Sequence, residues 1–129
     1  MTGLRPGGTS GEAPGRSFPK FIRIRESKDY RRVQGRGRRI RTKNLLVLYT
    51  RGRAPVSRFG LTVSRKVGNA VVRNRVKRWL RESIRHRRIG LGGRWDVVFI
   101  ASPGAGLAGF DALDQQVDGV IEQLNQAER

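Results

Sequence analysis

Arg73-Asn74-Arg75 is the densest chemical signal in the chain. It lies in a stretch, Arg65 to Arg88, that holds ten of the 28 lysines and arginines against a single acid, Glu82. Guanidinium groups present a planar fork that fits phosphate oxygens and base edges. A short asparagine between them adds a donor and an acceptor able to read a base or a 2′-hydroxyl. Two tyrosines, Tyr30 and Tyr49, are candidates for stacking unpaired bases, against packing for Tyr49 on its apolar strand. The acids Asp111, Asp114, Asp118 and Glu122 recur along the C-terminal segment, where an exposed helix face outweighs a metal site. His86, the only histidine, lies among arginines without an evident acid partner. There is no cysteine, phosphate-binding glycine loop, nucleophile elbow or metal-ligand spacing. These residue types bind polyanions; they do not compose an active site.

An element must aim this charge. At 100° per residue from about Asn69, the residues Val72, Val76, Trp79, Leu80, Ser83 and Ile84 fall into one stripe. Lys77, Arg78, Arg81, Arg85 and Arg88 take the other side, with Asn74 near its centre and Arg73 and Arg75 on its borders. Like charges at i,i+4, such as Arg73–Lys77, Lys77–Arg81 and Arg81–Arg85, repel by a few tenths of a kcal/mol each. At that spacing only Arg78–Glu82 offers compensation. A helix that tolerates this repulsion makes sense when phosphates lie against it. Gly68-Asn69 reads as the turn and N-cap that start it, a geometry that also admits a phosphate.

The rest of the chain reads as scaffold. Residues 1–20 are rich in Gly and Pro without periodicity and are expected to be a disordered extension ahead of a domain over 21–127. Ser27 is the expected N-cap of a short helix carrying Tyr30 and Val33. Arg36 to Lys43 reads as a loop or a short edge strand near 38–41. Leu45–Thr50 is apolar on both faces, Arg58–Ser64 alternates, and Trp95–Ala101 is a third strand. A Pro and Gly-rich loop over 102–109 leads to a last helix over about 111–126, packed through Leu113, Val117, Val120, Ile121 and Leu124. The expected fold is α+β: a single-domain, two-layer α/β sandwich in the order α-β-β-α-β-α.

The formal net charge of +18 and pI near 11.9 point to nucleic acid or an anionic surface. No acid falls between Asp29 and Glu82, while five of the ten lie at Asp111 or later, so the binder is oriented. Membrane association is disfavoured because the basic helix has little to insert, and no apolar run approaches a bilayer span. The readings that stand from the residues are an RNA-binding domain, a ribosome-associated RNA binder among them, and, less favoured, a stand-alone nuclease.

The run FGLTVSRKVGNAVVRNRVKRWLRE, Phe59 to Glu82, closely resembles the protein subunit of bacterial ribonuclease P. Its hallmark Arg-Asn-Arg is Arg73-Asn74-Arg75, preceded by Gly68-Asn69-Ala70-Val71. RIRESKDYRRV looks like the family's first helix and LVLYT like the strand after it; WDVVFIASPGA and the Phe110-containing helix match its end. The similarity spans about residues 21–126. It implies the accessory subunit of an endoribonuclease that removes the 5′ leader of precursor tRNA, hydrolysis being performed by a catalytic RNA with bound Mg2+. By the same resemblance the protein binds no cofactor of its own, contributes one copy per RNA and is cytoplasmic. The implied RNA-facing set is Arg65, Lys66, Arg73, Asn74, Arg75, Lys77, Arg78 and Arg81, and the implied leader cleft, between the first helix and the sheet, uses Tyr30 and Tyr49. Gln34 stands where many members carry a second aromatic. The family also implies a left-handed βαβ crossover, against the usual right-handed rule.

Overall fold

The alternation of the strands decides which helices lie on which side of the sheet. The computed structural model describes residues 18–128. Four strands, β1 (Arg38–Arg41), β2 (Leu45–Arg51), β3 (Arg58–Thr62) and β4 (Trp95–Ala101), form one sheet in the order β1-β2-β4-β3. The β1–β2 and β2–β4 pairs are antiparallel, and β3 runs parallel to β4. A parallel pair requires a crossover, and α2 (Ala70–Arg87) supplies it. The remaining helices are α1 (Ser27–Arg36), the one-turn α3 (Ala105–Ala108) and α4 (Phe110–Glu128).

One face of the sheet carries Val47, Phe59, Val97 and Phe99, all essentially buried beneath Val76, Leu80 and Ile84 of α2 and Leu113, Val117 and Leu124 of α4. The apolar stripes expected of both helices are therefore the ones that pack. The opposite face holds a smaller cluster, Leu48 and Val98 with Ile24 and Val33, and α1 lies on it. The result is an α+β sandwich whose helical layer is heavy on one side and a single helix on the other.

The elements depart from expectation at their edges. Residues 38–41 do form the edge strand. The N-cap of α1 is Glu26, without a side-chain capping bond, and Ser27 is already helical. The strand expected over Arg58–Ser64 stops at Thr62, although Val63 stays buried. The 102–109 loop contains α3, and α4 starts at Phe110. The expected disordered extension lies outside the described residues over 1–17. Its last part does not: Phe18 is 2% exposed and joins the main core. From there a 3-10 turn (Lys20–Ile22) leads into an extended segment that adds a fifth, minimal edge to the sheet. Arg23 bridges Phe59 in parallel, and the Ile24 amide donates to the Phe59 carbonyl at 2.9 Å.

Candidate nucleic-acid interface

Asn69 fixes where the basic helix begins. Its Oδ1 accepts from the Val72 amide at 3.0 Å, satisfying one of the donors that a helix start leaves free. Gly68 is needed just before it, because a Cβ there would come within 2.9 Å of Val72. With Val76, Leu80, Ser83 and Ile84 buried, the helix cannot roll, and Asn74, Arg75 and Arg78 are exposed with Arg73, Lys77 and Arg81 half-buried beside them. Arg65 and Lys66 are exposed in the turn that precedes it. Among the described residues none of these cations forms an ion pair. The structure thus brings the eight expected RNA-facing residues together on the turn and the helix it starts.

The acids that could have neutralised this surface are spent elsewhere. Glu82 does not compensate Arg78 as the i,i+4 spacing suggests; it accepts from Arg85 Nη2 at 2.8 Å and lies 2.9 Å from His86 Nε2. Burial pushes the Glu82 carboxyl up, but these partners outweigh it and hold the group below its ordinary value. His86 therefore does have an acid partner, one helical turn back. Arg87 ties α2 to α4, donating to Asp114 Oδ2 at 2.7 Å and Asp118 Oδ1 at 3.0 Å, and Ser83 Oγ donates to Asp114 Oδ1 at 2.6 Å. The bonds from Arg87 and Ser83 hold the Asp114 carboxyl below its ordinary range against some burial. Two of the four acids expected as a mere solvated face are thus interhelical ties.

The two tyrosines do not meet. Tyr30 lies on the α1 face, packed against the cluster of Ile24, Val33, Leu48 and Val98. Its ring sits over Gly60, where a Cβ would fall 2.6 Å from the hydroxyl oxygen, so glycine is required for this close approach. Burial raises the affinity of the Tyr30 hydroxyl for its proton. Tyr49 points to the other face, edge-on to Trp95 at 5.6 Å between ring centroids. It lines a separate recess with Arg36, Arg38 and Arg51. One cleft shared by Tyr30 and Tyr49 is therefore not what the fold builds: residue parity in β2 sends Val47 and Tyr49 one way and Leu46 and Leu48 the other.

What the α1 face does build is a trough. Pairing places Arg41, Leu46, Ile100 and Thr62 in one row across the sheet, next to the row Arg39, Leu48, Val98 and Gly60. Tyr30 and Val33 of α1 cover the second row, while Leu46, Ile100 and Thr62 remain half-buried, with Arg39 and Arg41 exposed at the β1 edge. Gln34 is exposed on α1.

One cluster escaped the reading of the sequence. Asp96 is fully buried in β4 and accepts from Arg58 of β3 and from Arg32 of α1. Asp29 adds a second carboxylate 3.5 Å from Arg58. The only signal was a lone carboxylate inside WDVVFIA, which strand periodicity alone does not explain.

A family model described as ribonuclease P matches residues 18–125. The chain belongs to the ribonuclease P protein family. Among similar members, the ribonuclease P protein component of Syntrophomonas wolfei is 32% identical over 104 residues, covering 81% of this chain and 87% of that one. That of Desulfovibrio desulfuricans is 44% identical over 96 residues, covering 73% and 74%. Among solved structures, a Staphylococcus aureus RNase P protein mutant with defective mRNA degradation activity superposes with a TM-score of 0.74 at 26% identity, covering 80% of this chain and 87% of that one. The RNase P protein of Thermotoga maritima gives 0.71 at 25% identity, covering 78% and 96%. The family match begins at Phe18, which is itself buried in the core.

Proposed function

We propose that this chain docks on the catalytic RNA of ribonuclease P through the turn and basic face of α2, and receives the 5′ leader of precursor tRNA on the opposite side of the sheet. The family's general role, tRNA 5′ processing together with an RNA subunit, frames the proposal. The observation that carries it is that, among the described residues, Arg65 and Lys66 in the turn and Arg73, Arg75, Lys77, Arg78 and Arg81 on the packed helix form no ion pair. A helix face without internal counter-ions acquires them from phosphate, and Asn74 at its centre adds hydrogen bonding that charge alone lacks.

The leader runs in the trough between α1 and β1. Leu46 and Ile100 offer an apolar floor for bases, Tyr30 a ring to stack on, and Arg39 and Arg41 a rim for phosphates. Past the C-terminal end of α1, where Gly37 abuts the Tyr49 carbonyl, the chain can reach the recess of Tyr49, Arg36 and Arg38. Gln34 makes the helix wall more polar than a second aromatic would.

Hydrolysis falls to the RNA subunit, whose bound Mg2+ supplies the chemistry. Among the described residues Asp114 and Asp118 pair with Arg87, and Asp29 and Asp96 with Arg32 and Arg58. Its share is to hold RNA, as one copy per RNA in the cytoplasm. Among the described residues no helix is long and apolar enough to cross a membrane.

The test is the salt dependence of binding to the RNA subunit. If about 6–10 phosphates are contacted, affinity falls by roughly 10³–10⁵ between about 50 and 200 mM salt. A nearly flat response removes the basic face as the docking surface.

A further inference from the structure

The edge segment ahead of α1 faces the C-terminal half of α2 with Arg23 towards Arg81 and Phe21 beneath Arg88. Arg23 is pinned there by its bridge to Phe59 and by the fully buried Ile22 beside it. Arg81 approaches it from α2, and its guanidinium is held below its ordinary value by burial and then by the Arg23 charge. About two turns further on the same face, just past the end of α2, the Arg88 guanidinium lies over the Phe21 ring, 5.8 Å from its centroid. Phe21 is itself 60% exposed, and the Nε atoms of Arg23 and Arg88 are shielded from water without a hydrogen-bond partner.

Among the described residues no acid compensates this grouping. Arg23, Arg81 and Arg88 form no ion pair among the described residues, whereas Arg85 and Arg87 on the same helix both do. The carboxylates in the recess beside Arg23 are Glu26 and Asp29. Glu26 pairs with Lys28, and Asp29 with Arg58 and Arg32. Two guanidinium groups brought together with partial loss of water and no acid is an unfavourable arrangement unless an anion lies between them. An exposed phenylalanine beside a planar cation offers a face on which a base can stack.

We infer that Arg23, Arg81 and Arg88, with Phe21, form a second RNA site, distinct from Arg73-Asn74-Arg75. It takes a phosphate between the arginines and stacks an adjacent unpaired base on Phe21. The inference rests on the reading of α2 as an RNA-docking helix and extends that surface onto the N-terminal edge of the sheet. RNA bound there holds residues 20–24 to α2 from outside, as Ile22 does from within.

The test measures binding of the full chain to the ribonuclease P RNA across a salt series, with Arg23→Gln, Arg88→Gln, Phe21→Leu and Phe21→Trp. Arg94→Gln provides the same charge change at an exposed position ahead of β4. Thermal melts of each variant confirm the fold. Each loss at Arg23 or Arg88 lowers the slope of log affinity against log salt by about 0.7, the value for one phosphate of a single strand, and Arg94→Gln leaves the slope alone. Phe21→Leu weakens binding with the slope unchanged, and Phe21→Trp restores it. If Arg23→Gln and Arg88→Gln behave as Arg94→Gln does, the phosphate site is overturned. If Phe21→Leu binds like the parent chain, so is the stacking. A parent chain with no steep salt dependence instead overturns the docking role of α2 itself.

Discussion

Arg58 holds Asp96 through two bonds, Nε to Oδ1 at 3.0 Å and Nη2 to Oδ2 at 2.8 Å. The two residues are partners in the parallel β3–β4 register, so the ion pair lies across the sheet on its α1 face. The bond to Asp96 is the main reason the Arg58 guanidinium keeps its proton more firmly than usual, with burial opposing it. Arg32 reaches the same carboxylate from α1, so one buried acid ties the helix to both parallel strands. The helix that walls the trough proposed for the leader stands on this acid.

Removing Asp96 leaves two cations without their buried partner. Asp96→Ala is expected to cost about 3–5 kcal/mol of folding stability, the range for breaking a buried pair from one side. Urea denaturation measures it. A cost under about 1 kcal/mol, as for a surface pair, shows that water already solvates the cluster.

Gly60→Ala pushes a methyl group into the space of the Tyr30 ring. Binding of leader-bearing precursor to the assembled complex should weaken, while affinity of the protein for the RNA subunit stays the same. Tyr30→Ala sets the scale, about 1–3 kcal/mol if one base stacks. Equal effects of Gly60→Ala on both affinities would place the damage in the fold instead.

Tyr49→Ala should weaken binding of precursor tRNA more than that of mature tRNA, since only the precursor has a leader to enter the recess beside Arg36 and Arg38. Competition binding with the two RNAs reads the difference. Equal loss for both assigns Tyr49 to its edge-on packing with Trp95.

The tie between α2 and α4 has a pH signature. The bond from Arg87 holds the folded Asp114 carboxyl below its ordinary value, so its contribution is present above that ordinary value and is lost as pH falls through the lower, folded one. Stability of the parent chain should therefore drop on acidification below about pH 4, and Asp114→Asn should flatten that part of the curve. At neutral pH the substitution costs about 1 kcal/mol, because the pair is partly exposed. Chemical denaturation from pH 7 to pH 3 checks both; identical acid limbs would exclude Asp114 as a titrating contributor.

The sequence made the basic helix legible because two signals agreed there. A 3.6-residue apolar stripe fixed its orientation, and Asn69 marked its start. Strands β2 to β4 were legible from alternation and apolar runs. The partition of the aromatics was not, since Tyr30 and Tyr49 look alike until pairing and parity assign each a face. Asp96 was equally opaque: its partners stand 38 and 64 positions away, and only folding brings Arg58 and Arg32 to it. The cations Arg23 and Arg88 each read as one more charge on a basic chain. That neither forms an ion pair among the described residues emerges only when the described acids have been placed.

The central claim is that this protein contributes binding surfaces to a reaction that an RNA carries out. Its most direct test is cleavage of precursor tRNA at near-physiological magnesium by the protein, by the ribonuclease P RNA, and by the two together. The account predicts no cleavage by the protein alone and clear stimulation when it joins the RNA, abolished by neutralising Arg73 and Arg75 together. Cleavage by the protein alone, or no stimulation of the RNA, would contradict it.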